Sequence, residues 1–294
     1  MKSAWAASKA FEFVSSDGLR IACSRWDAHV PARGVVQIAH GLGEHIGRHA
    51  EVIEVLLQAG LAVYGNDHRG HGRTALPHNS FGDFGPGGFD LLVEDMVKLT
   101  DIVEAENPSK PLILLGHSMG SFAAQQYVLD HSALIDGLVL SGTGALDGLS
   151  RVASKSAEKY SFLNAGFAPA RTPYDWLSRD PKVADGFMKD PLCFGTLVPA
   201  STASLFAAAS QLADATRLAA IRHDLPVYLF SGSEDPVGEQ LAGVRTVIDR
   251  YRHAGISNIS FDLYDGGRHE MLNEVNRAEV RARLLAWITA ALQY

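Results

Sequence analysis

The sequence predicts an α/β fold in which a mostly parallel central sheet is covered by helices on both faces. Three observations lead to this prediction: a hairpin signal near the start, a long alternation of apolar strands with amphipathic helices, and one interruption of that alternation. Alternating strands and helices are typical of βαβ units, which place successive strands side by side and parallel. The 294 residues are enough for one large α/β domain with an inserted segment.

The first two strands are predicted to form a hairpin, and strands and helices alternate after it. The segments FEFVSS and LRIACSRW are joined by Asp17-Gly18, a dipeptide that favours the tight turn of an antiparallel hairpin. The later predicted strands are 34–40, 61–67, 112–116, 135–142, 225–232 and 259–267. The predicted helices are 49–60, 90–107, 121–133, 243–255 and 279–293. Gly60 ends the first of these helices and Pro108 stops the second.

The alternation is interrupted between about residues 145 and 223, where Ala-rich helical pieces replace the strands. We therefore predict a core domain formed by residues 1–144 and 224–294, and an inserted helical cap formed by residues 145–223. Within the cap, segment 202–221 is predicted to be helical. Five of its residues are expected to share one face: Leu205, Ala209, Leu212, Thr216 and Ala219.

Composition and charge argue against several classes of function. The chain carries 26 Lys and Arg against 33 Asp and Glu, and it shows no basic patch for nucleic acid and no polybasic stretch for anionic lipid. Cys23 and Cys193 lie far apart and outside any C-x-x-C spacing, which indicates reduced thiols rather than a disulfide or a zinc site. The N-terminus lacks an apolar core of signal-peptide length, and no segment approaches the length of a membrane span. We therefore expect a cytoplasmic protein.

A run of aliphatic residues ends in a serine held between two glycines at residues 111–121, PLILLGHSMGS. The segment GHSMG fits the pattern G-x-S-x-G, in which the glycines permit a tight, strained turn that raises the serine hydroxyl above the sheet. Ser118 is therefore a candidate nucleophile. An ordinary serine at a helix N-cap is the alternative interpretation.

A serine nucleophile needs a histidine that accepts its proton and a carboxylate that orients the histidine. In an open parallel sheet such residues collect at the carboxyl ends of strands. Two later strands are followed by suitable residues, Asp235 in SGSEDPVG and His269 in DGGRHE. The chain order Ser118, Asp235, His269 is the order found in nucleophile-elbow enzymes.

Other residues compete for these two roles. The competing carboxylates are Glu234, Asp262 and Asp265, and the competing histidines are His68, His71 and His117. Two of the histidines precede the nucleophile in the chain and the third is adjacent to it, so we interpret all three as structural hydrogen-bonding residues.

Five motifs follow one another along the chain: HGLGEH at 40–45, NDHRGHGRT at 66–74, GHSMG at 116–120, SGSEDPVG at 231–238 and GGRHE at 266–270. In this order they resemble the α/β-hydrolase superfamily, and more narrowly its branch of monoacylglycerol lipases and bacterial lysophospholipases. The resemblance spans nearly the whole chain and includes the cap segment 172–193. Ser121 stands where the branch usually has a glycine, and Thr74 where it usually has a serine. We expect neither residue to touch the triad.

The resemblance implies a catalytic triad of Ser118, Asp235 and His269, and it favours Asp235 over Glu234. It also implies an oxyanion hole, which needs one backbone N–H from the residue after the nucleophile and one from the loop after the third strand. Met119 and Leu42 hold those positions.

The polar residues of HGLGEH are similar to a set that braces this loop in the branch. They are Glu44 and His45, together with Arg48, and a solvated charge cluster is the alternative interpretation. The histidine and glutamate spacing misses the zinc motif H-x-x-E-H by one residue, so no metal site is predicted.

The function implied by the resemblance is a serine esterase that hydrolyses a single-chain acyl ester, a monoacylglycerol or a lysophospholipid, through an acyl-enzyme and without metal or cofactor. The cap is expected to roof the pocket above Ser118 and to contact lipid surfaces transiently. Some of its apolar residues are expected to line an acyl tunnel, from the set Phe162, Leu163, Phe167, Trp176, Leu177, Phe187, Met188, Leu205 and Phe206. The alternatives are a non-lipid hydrolase of the same fold, such as a small-ester carboxylesterase, a peptidase or a carbon–carbon hydrolase, and a non-catalytic binding protein.

Overall fold

Eight strands form one sheet in the computed structural model, which describes residues 8–155 and 161–293. The strands are β1 (Lys9–Val14), β2 (Arg20–Trp26), β3 (Gly34–Ala39), β4 (Leu61–Asn66), β5 (Leu112–His117), β6 (Gly137–Ser141), β7 (Val227–Gly232) and β8 (Ile259–Tyr264). Residues 1–7, 156–160 and 294 belong to the predicted core and cap but lie outside the described residues.

The strand order across the sheet is β1-β2-β4-β3-β5-β6-β7-β8. β1 and β2 form the predicted antiparallel hairpin, in which Val14 pairs with Arg20 and Gly18 in the turn has a φ of 88°. β2 is also antiparallel to β4, and every pair from β4 to β8 is parallel. This mostly parallel sheet with an antiparallel start confirms the predicted fold class.

Helices cover both faces of the sheet. Those described are α1 (Ala50–Gln58), α2 (Gly72–Ala75), α3 (Gly88–Glu106), α4 (Met119–His131), α5 (Leu146–Ala153), α6 (Pro181–Lys189), α7 (Pro199–Ala207), α8 (Ala209–Leu212), α9 (Ala215–Leu218), α10 (Ala242–His253) and α11 (Arg277–Ala291). Side chains of a strand alternate between faces, and Val35 packs in the hydrophobic cluster with α3, α4 and α10 whereas Val36 packs in the cluster with α1 and α11. None of the helices among the described residues combines the length and apolar character needed to cross a bilayer.

The segment between β6 and β7 contains α5 to α9, and the prediction of a single helical face over 202–221 is wrong. This segment is divided into α7, α8 and α9. Of the five residues expected on one face, Leu205, Ala209 and Leu212 are buried and Thr216 and Ala219 are exposed. The Asp214 carboxylate accepts the backbone N–H of Thr216 and starts a new helix, so Leu218 is buried in place of the expected residues.

Three consecutive non-glycine residues before α10 have left-handed backbone conformations. The φ angles are 51° for Glu239, 49° for Gln240 and 75° for Leu241. An L-residue pays roughly 1–2 kcal/mol for this region. The loop is held in place because the Gln240 N–H donates to the Asp235 carbonyl at 3.0 Å. Strained backbone is therefore packed directly beside one of the candidate site residues.

Gln240→Gly is expected to raise the free energy of unfolding by about 0.5–1 kcal/mol, because glycine adopts a positive φ without the steric cost. Gln240 is exposed, so the change removes little packing. Urea unfolding of the wild type and the variant measures the difference. The matched control is Glu94→Gly on the exposed face of α3, which should destabilise by about 1 kcal/mol. A loss of stability in Gln240→Gly similar to the control would contradict the strain at this position.

Candidate active site

Ser118 lies in the turn between β5 and α4, in a backbone conformation that few residues other than glycine adopt. Its φ and ψ are 55° and −122°, and its N–H donates to the Ser141 carbonyl at the end of β6 at 2.9 Å. A Cβ on Gly116 would lie 2.4 Å from the Gly120 carbonyl oxygen, and one on Gly120 would lie 2.2 Å from the Ala39 oxygen. Both flanking glycines are therefore required by close packing, and the strand, turn and helix that G-x-S-x-G needs are present.

Asp235 and His269 follow β7 and β8 and meet in a buried hydrogen bond. His269 Nδ1 lies 3.0 Å from each carboxylate oxygen of Asp235, and both residues are buried. The Val237 N–H and the Ser231 hydroxyl also donate to this carboxylate, at 2.9 and 3.3 Å. Several donors therefore hold the carboxylate in the position from which it orients the imidazole.

The competing carboxylates lie away from the His269 ring. The Glu234 side chain is 52% exposed and is 4.0 Å from an arginine. Asp262 and Asp265 accept hydrogen bonds from hydroxyls in β7 and in the loop after it. The structure thus brings His269 together with Asp235 rather than with the neighbouring acids in the sequence.

The pKa of His269 is raised above the ordinary value of 6.5. Burial lowers this pKa, but the charge of Asp235 and its hydrogen bond outweigh burial, with further contributions from the charges of Glu270 and Glu44. Because Nδ1 donates to Asp235, Nε2 is the ring nitrogen that can accept a proton. The ring is also packed against Trp176, with centroids 4.8 Å apart.

Four other histidines of the motifs are buried and neutral: His40, His68, His71 and His117. Burial lowers the pKa of His40 to about 4 and the pKa of His71 and His117 to about 3, and it holds the pKa of His68 well below 6.5. His117 Nδ1 lies 3.2 Å from the Ser141 hydroxyl. These environments agree with the interpretation of the three competing histidines as structural.

Leu42 and Met119 line the same pocket as Ser118. Neither N–H donates a hydrogen bond within the part of the chain that the structure describes. Met119 is the first residue of α4, where a helix leaves its N–H groups unpaired. Gly41, which precedes Leu42, packs so closely that a Cβ there would lie 3.0 Å from the Ser118 Cβ. Both amides are therefore beside Ser118 and available to a bound molecule.

A buried ionic network connects the loop of Leu42 with the loop of His269. The Arg48 guanidinium donates to Glu44 at 2.8 Å and to both oxygens of Glu270 at 2.8 and 3.1 Å. The second oxygen of Glu44 accepts the Gly41 N–H at 2.6 Å. Burial raises the pKa of Glu44, but the neighbouring His49 and Arg48 outweigh burial and hold the pKa well below 4.5. The Arg48 and Glu44 side chains are 12% and 4% exposed, so the interpretation of a solvated charge cluster is wrong.

A pocket above Ser118 is lined by both polar and apolar residues. Its polar side is formed by Glu44, Arg48, Glu270 and Tyr174. Its apolar side is formed by Phe122, Leu149, Phe162, Leu163, Leu205 and Phe206. The two sides differ in chemistry, and so they suit a ligand with one apolar and one polar part.

The segment between β6 and β7, called the insert below, contributes much of this lining. It is hydrogen-bonded to the loop of Leu42 and to the loop of His269. Seven of the nine apolar residues proposed for a tunnel line the pocket: Phe162, Leu163, Trp176, Leu177, Phe187, Leu205 and Phe206. Met188 is instead 46% exposed, and Phe167 lies against the Arg268 guanidinium. The Phe194 N–H donates to the Gly43 carbonyl at 2.9 Å, and the Glu270 N–H donates to the Leu177 carbonyl at 2.7 Å.

Comparison with known proteins places this fold and site in a family. A model of the family described as "Serine aminopeptidase, S33" matches residues 30–276. The chain belongs to this α/β-hydrolase family.

Individual relatives agree with this assignment. A monoacylglycerol lipase of Mycolicibacterium smegmatis is 32% identical over 282 residues, which are 95% of this chain and 96% of the relative. A monoglyceride lipase of Mus musculus is 24% identical over 89% of this chain and 84% of its own length. Among solved structures, a thermostable carboxyl esterase from Bacillus coagulans has a TM-score of 0.87 and 28% identity, and it covers 97% of this chain and 99% of that chain.

The two departures of this hydrolase from its family motifs have different surroundings. Thr74 Oγ1 donates to the Asp67 carbonyl at 2.6 Å and accepts the Ala22 N–H, away from Ser118. Ser121 Oγ donates to the carbonyl of Ser118 itself at 2.6 Å. The expectation that Ser121 does not touch the candidate triad residues is therefore wrong, because position 121 lies one helical turn after Ser118 and its hydroxyl bonds back to the Ser118 backbone.

His45, Asp190 and Cys193 place three potential metal-ligand atoms within 4.8 Å of one another. The hydrogen bonds of His45 do not suit a metal. Its Nδ1 accepts the Gly47 N–H at 3.2 Å, and its Nε2 is 2.9 Å from the Asp190 carboxylate, so the proton is on Nε2. Coordination through Nε2 would move the proton to Nδ1, where it would face the Gly47 N–H. This group is better described as a link between the Leu42 loop and the insert.

Several pocket residues were not anticipated from the sequence, among them Glu270, Tyr174 and Phe194. Glu270 directly follows His269 in the motif GGRHE, so its position in the motif was a usable signal. Tyr174 and Phe194 lie in irregular segments of the insert, where no periodicity indicates which side chain faces the pocket.

Glu44→Gln is expected to lower the free energy of unfolding at neutral pH by roughly 3 kcal/mol, because it breaks a buried charge pair. The folded-state pKa of Glu44 lies below 4.5, so the carboxylate contributes stability that is present above this pH and is lost as the pH falls through the folded-state pKa. The difference between wild type and variant should therefore shrink at acid pH, as measured by urea unfolding over a pH series.

Glu51→Gln provides the control for this measurement. The Glu51 side chain is 68% exposed although it pairs with Arg281, so the change should cost less than about 1 kcal/mol. A stability difference for Glu44→Gln that is independent of pH, or no larger than the control, would contradict the buried network.

Proposed function

We propose that this α/β-hydrolase is a serine esterase that hydrolyses single-chain acyl esters, with a monoacylglycerol as its preferred substrate. The observation that carries the proposal is the pocket, in which Ser118 and His269 lie beneath an apolar side and next to a polar side. The hydrogen bond from His269 to Asp235 supports their roles as base and orienting acid. The relatives named monoacylglycerol lipase and carboxyl esterase support the same class of reaction.

In the first half of the reaction, Ser118 Oγ attacks the ester carbonyl carbon while its proton passes to His269 Nε2. The charge of Asp235 stabilises the imidazolium that forms. The carbonyl oxygen becomes an oxyanion, which accepts hydrogen bonds from the Leu42 and Met119 amides. When the tetrahedral intermediate collapses, the bond from carbon to the alcohol oxygen breaks and His269 gives its proton to the leaving alcohol. The acyl group remains on Ser118 as an ester.

In the second half, His269 takes a proton from water, and the resulting hydroxide oxygen attacks the acyl-enzyme carbonyl. The same two amides hold the oxyanion. Collapse of this intermediate breaks the bond to Ser118 Oγ, which regains a proton from His269, and the fatty acid leaves. The nucleophile, the base, the orienting carboxylate and the two oxyanion donors in these steps all belong to this chain.

The charges on the polar side favour an uncharged alcohol group over a phosphate. Arg48 is the permanent cation among the described pocket residues, and its guanidinium is already paired with Glu44 and Glu270. A phosphodiester would have to approach two carboxylates without an unpaired cation. A monoacylglycerol therefore fits this pocket better than a lysophospholipid does.

The pairing of Arg48 with Glu44 and Glu270 also argues against the peptidase alternative, which the family description raises. An aminopeptidase needs a carboxylate that can pair with the free amino group of its substrate. Glu44 and Glu270 line the pocket, but both already accept hydrogen bonds from Arg48. The pocket therefore favours the ester substrate.

Three further points belong to this proposal. The insert, residues 145–223, acts as the cap of the pocket and admits one acyl chain more readily than three. Its exposed Met188 and Val152 suit transient contact with a lipid surface. A cytoplasmic location follows from the sequence expectation.

The proposed substrate class is tested with glycerol esters of two to eighteen acyl carbons and with mono-, di- and triacylglycerol of matched chain length. We expect kcat/KM to rise with chain length by at most about fourfold per methylene, from roughly 0.8 kcal/mol per buried methylene, until the apolar side is full. Monoacylglycerol should be preferred to triacylglycerol and to lysophosphatidylcholine. Ser118→Ala should lose several orders of magnitude in turnover while remaining folded. Preference for acetyl esters, or activity that survives in Ser118→Ala, would contradict the proposal.

The pH dependence follows from the raised pKa of His269. The residue must be neutral to accept the Ser118 proton, so kcat/KM should fall as the pH drops through a pKa above 6.5. The measurement is a pH profile with a matched acyl ester, together with NMR titration of His269 in the folded Ser118→Ala variant. A midpoint well below 6.5, or a profile that is flat on the acid side, would remove His269 from the role of base.

A further inference from the structure

Tyr174 lines the pocket next to Gly195, and its hydroxyl has no hydrogen-bond partner in the part of the chain that the structure describes. The neighbouring polar groups differ in this respect, because Glu44, Arg48 and Glu270 bond to one another. Burial raises the pKa of Tyr174, so the phenol stays protonated and can both donate and accept a hydrogen bond.

The ring of Tyr174 is held in place before any ligand binds. It packs against Phe187 with centroids 4.5 Å apart. The Tyr174 N–H donates to the Thr172 hydroxyl at 3.2 Å, and its carbonyl accepts the Leu177 N–H at 3.0 Å. The Thr172 hydroxyl in turn donates to Asp175 at 2.5 Å. A hydroxyl positioned in this way can bind a ligand group with little loss of side-chain entropy.

The Tyr174 hydroxyl lies close to Gly195, in space that a side chain at position 195 would fill. A Cβ on Gly195 would lie 2.6 Å from the Tyr174 hydroxyl oxygen but 3.8 Å from Cζ, the ring carbon that carries it. The backbone of Gly195 is not in the left-handed region, so alanine can adopt its conformation. The oxygen of Tyr174 is therefore the atom with which an alanine side chain at position 195 would collide.

A series of contacts connects Tyr174 with Glu270, the residue that follows His269 in the chain. His269 protonates the leaving oxygen, so the alcohol lies next to His269 and its neighbour Glu270. Arg48 bonds to Glu270 and lies over the ring of Phe187 at 5.1 Å, and this ring packs against Tyr174. The polar side is thus continuous from the leaving-group position to Tyr174.

We propose that the Tyr174 hydroxyl hydrogen-bonds a free hydroxyl on the alcohol part of the substrate, and so selects esters of polyols such as glycerol over simple alkyl esters of the same acid. This assignment rests on the proposed esterase function. It makes Tyr174 a determinant of alcohol specificity, while the apolar side determines acyl-chain specificity. An ester without a free hydroxyl cannot form this hydrogen bond with Tyr174, whereas a monoacylglycerol has two hydroxyls that can form it.

The test compares the ratio of kcat/KM for a 1-monoacylglycerol to kcat/KM for the methyl ester of the same acid. In Tyr174→Phe this ratio should fall about fivefold to tenfold, the typical worth of one neutral hydrogen bond. A purely structural role would lower both rate constants alike and leave the ratio unchanged. That outcome would overturn the proposal.

Gly195→Ala provides a second, independent variant. It should lower the same ratio in the Tyr174 background, because the new Cβ displaces the hydroxyl. In the Tyr174→Phe background the colliding oxygen is absent, so adding Gly195→Ala should change the ratio by less than about twofold. Additive effects of the two substitutions would show that they act separately, and would also overturn the assignment.

Tyr251→Phe is the matched control, since it removes a buried tyrosine hydroxyl on α10 outside the pocket, and it should leave the ratio unchanged. The outcomes separate this inference from the proposed function. Wild-type enzyme that hydrolyses both esters through Ser118, with an unchanged ratio in Tyr174→Phe, overturns only the role of Tyr174. Wild-type enzyme that hydrolyses neither ester overturns both.

Discussion

Arg48 joins two parts of the site that are separated by 222 residues in the sequence. On one side it bonds to Glu44, which also holds the Gly41 amide, and on the other it bonds to Glu270, which follows His269. Burying three charged groups is costly and is offset only when all of them are paired in good geometry. The ionic network therefore permits one relative position of the two loops, and with it one placement of the Leu42 amide and the His269 ring around Ser118.

The insert depends on the same loops and completes them. Its backbone accepts the N–H of His269 at Trp176 and the N–H of Glu270 at Leu177, and it donates to Gly43 from Phe194. Gly43 has a φ of 73°, and a Cβ on it would lie 2.0 Å from the Phe194 oxygen, so the contact requires glycine. The segment around residues 176–195 is consequently part of the framework of the candidate active site, because the loops that carry the candidate catalytic residues bond to it directly.

The core of the fold could be predicted closely because each strand has a recognisable pattern of apolar residues in the sequence. Strands β3, β5 and β7 are buried on both faces and have continuous apolar runs. The run of β5 ends at the turn of Ser118, and the run of β7 ends at the loop of Asp235. Segment 202–221 could not be predicted in the same way. Its Ala-rich sequence is compatible with one long helix, but α9 starts at the Asp214 cap, and α7 packs against α3 whereas α9 packs against α10. The contact of Ser121 could not be predicted either, since the hydrogen bond from its hydroxyl to the Ser118 carbonyl depends on the geometry of the turn between β5 and α4.

The sequence by itself determined the sheet, the strained serine turn, and the two loops that carry the acid and the histidine of the candidate triad, because these features are encoded in short local patterns that require particular residue types. Only the tertiary structure decided which acid reaches His269. Glu234 and Asp235 are adjacent in the chain, but the donors of Val237 and Ser231 hold Asp235 inward while Glu234 extends into solvent. The structure likewise decided where Tyr174 lies, since its ring packs against Phe187, which also contacts Arg48, and a contact between distant segments is not encoded in a local sequence pattern.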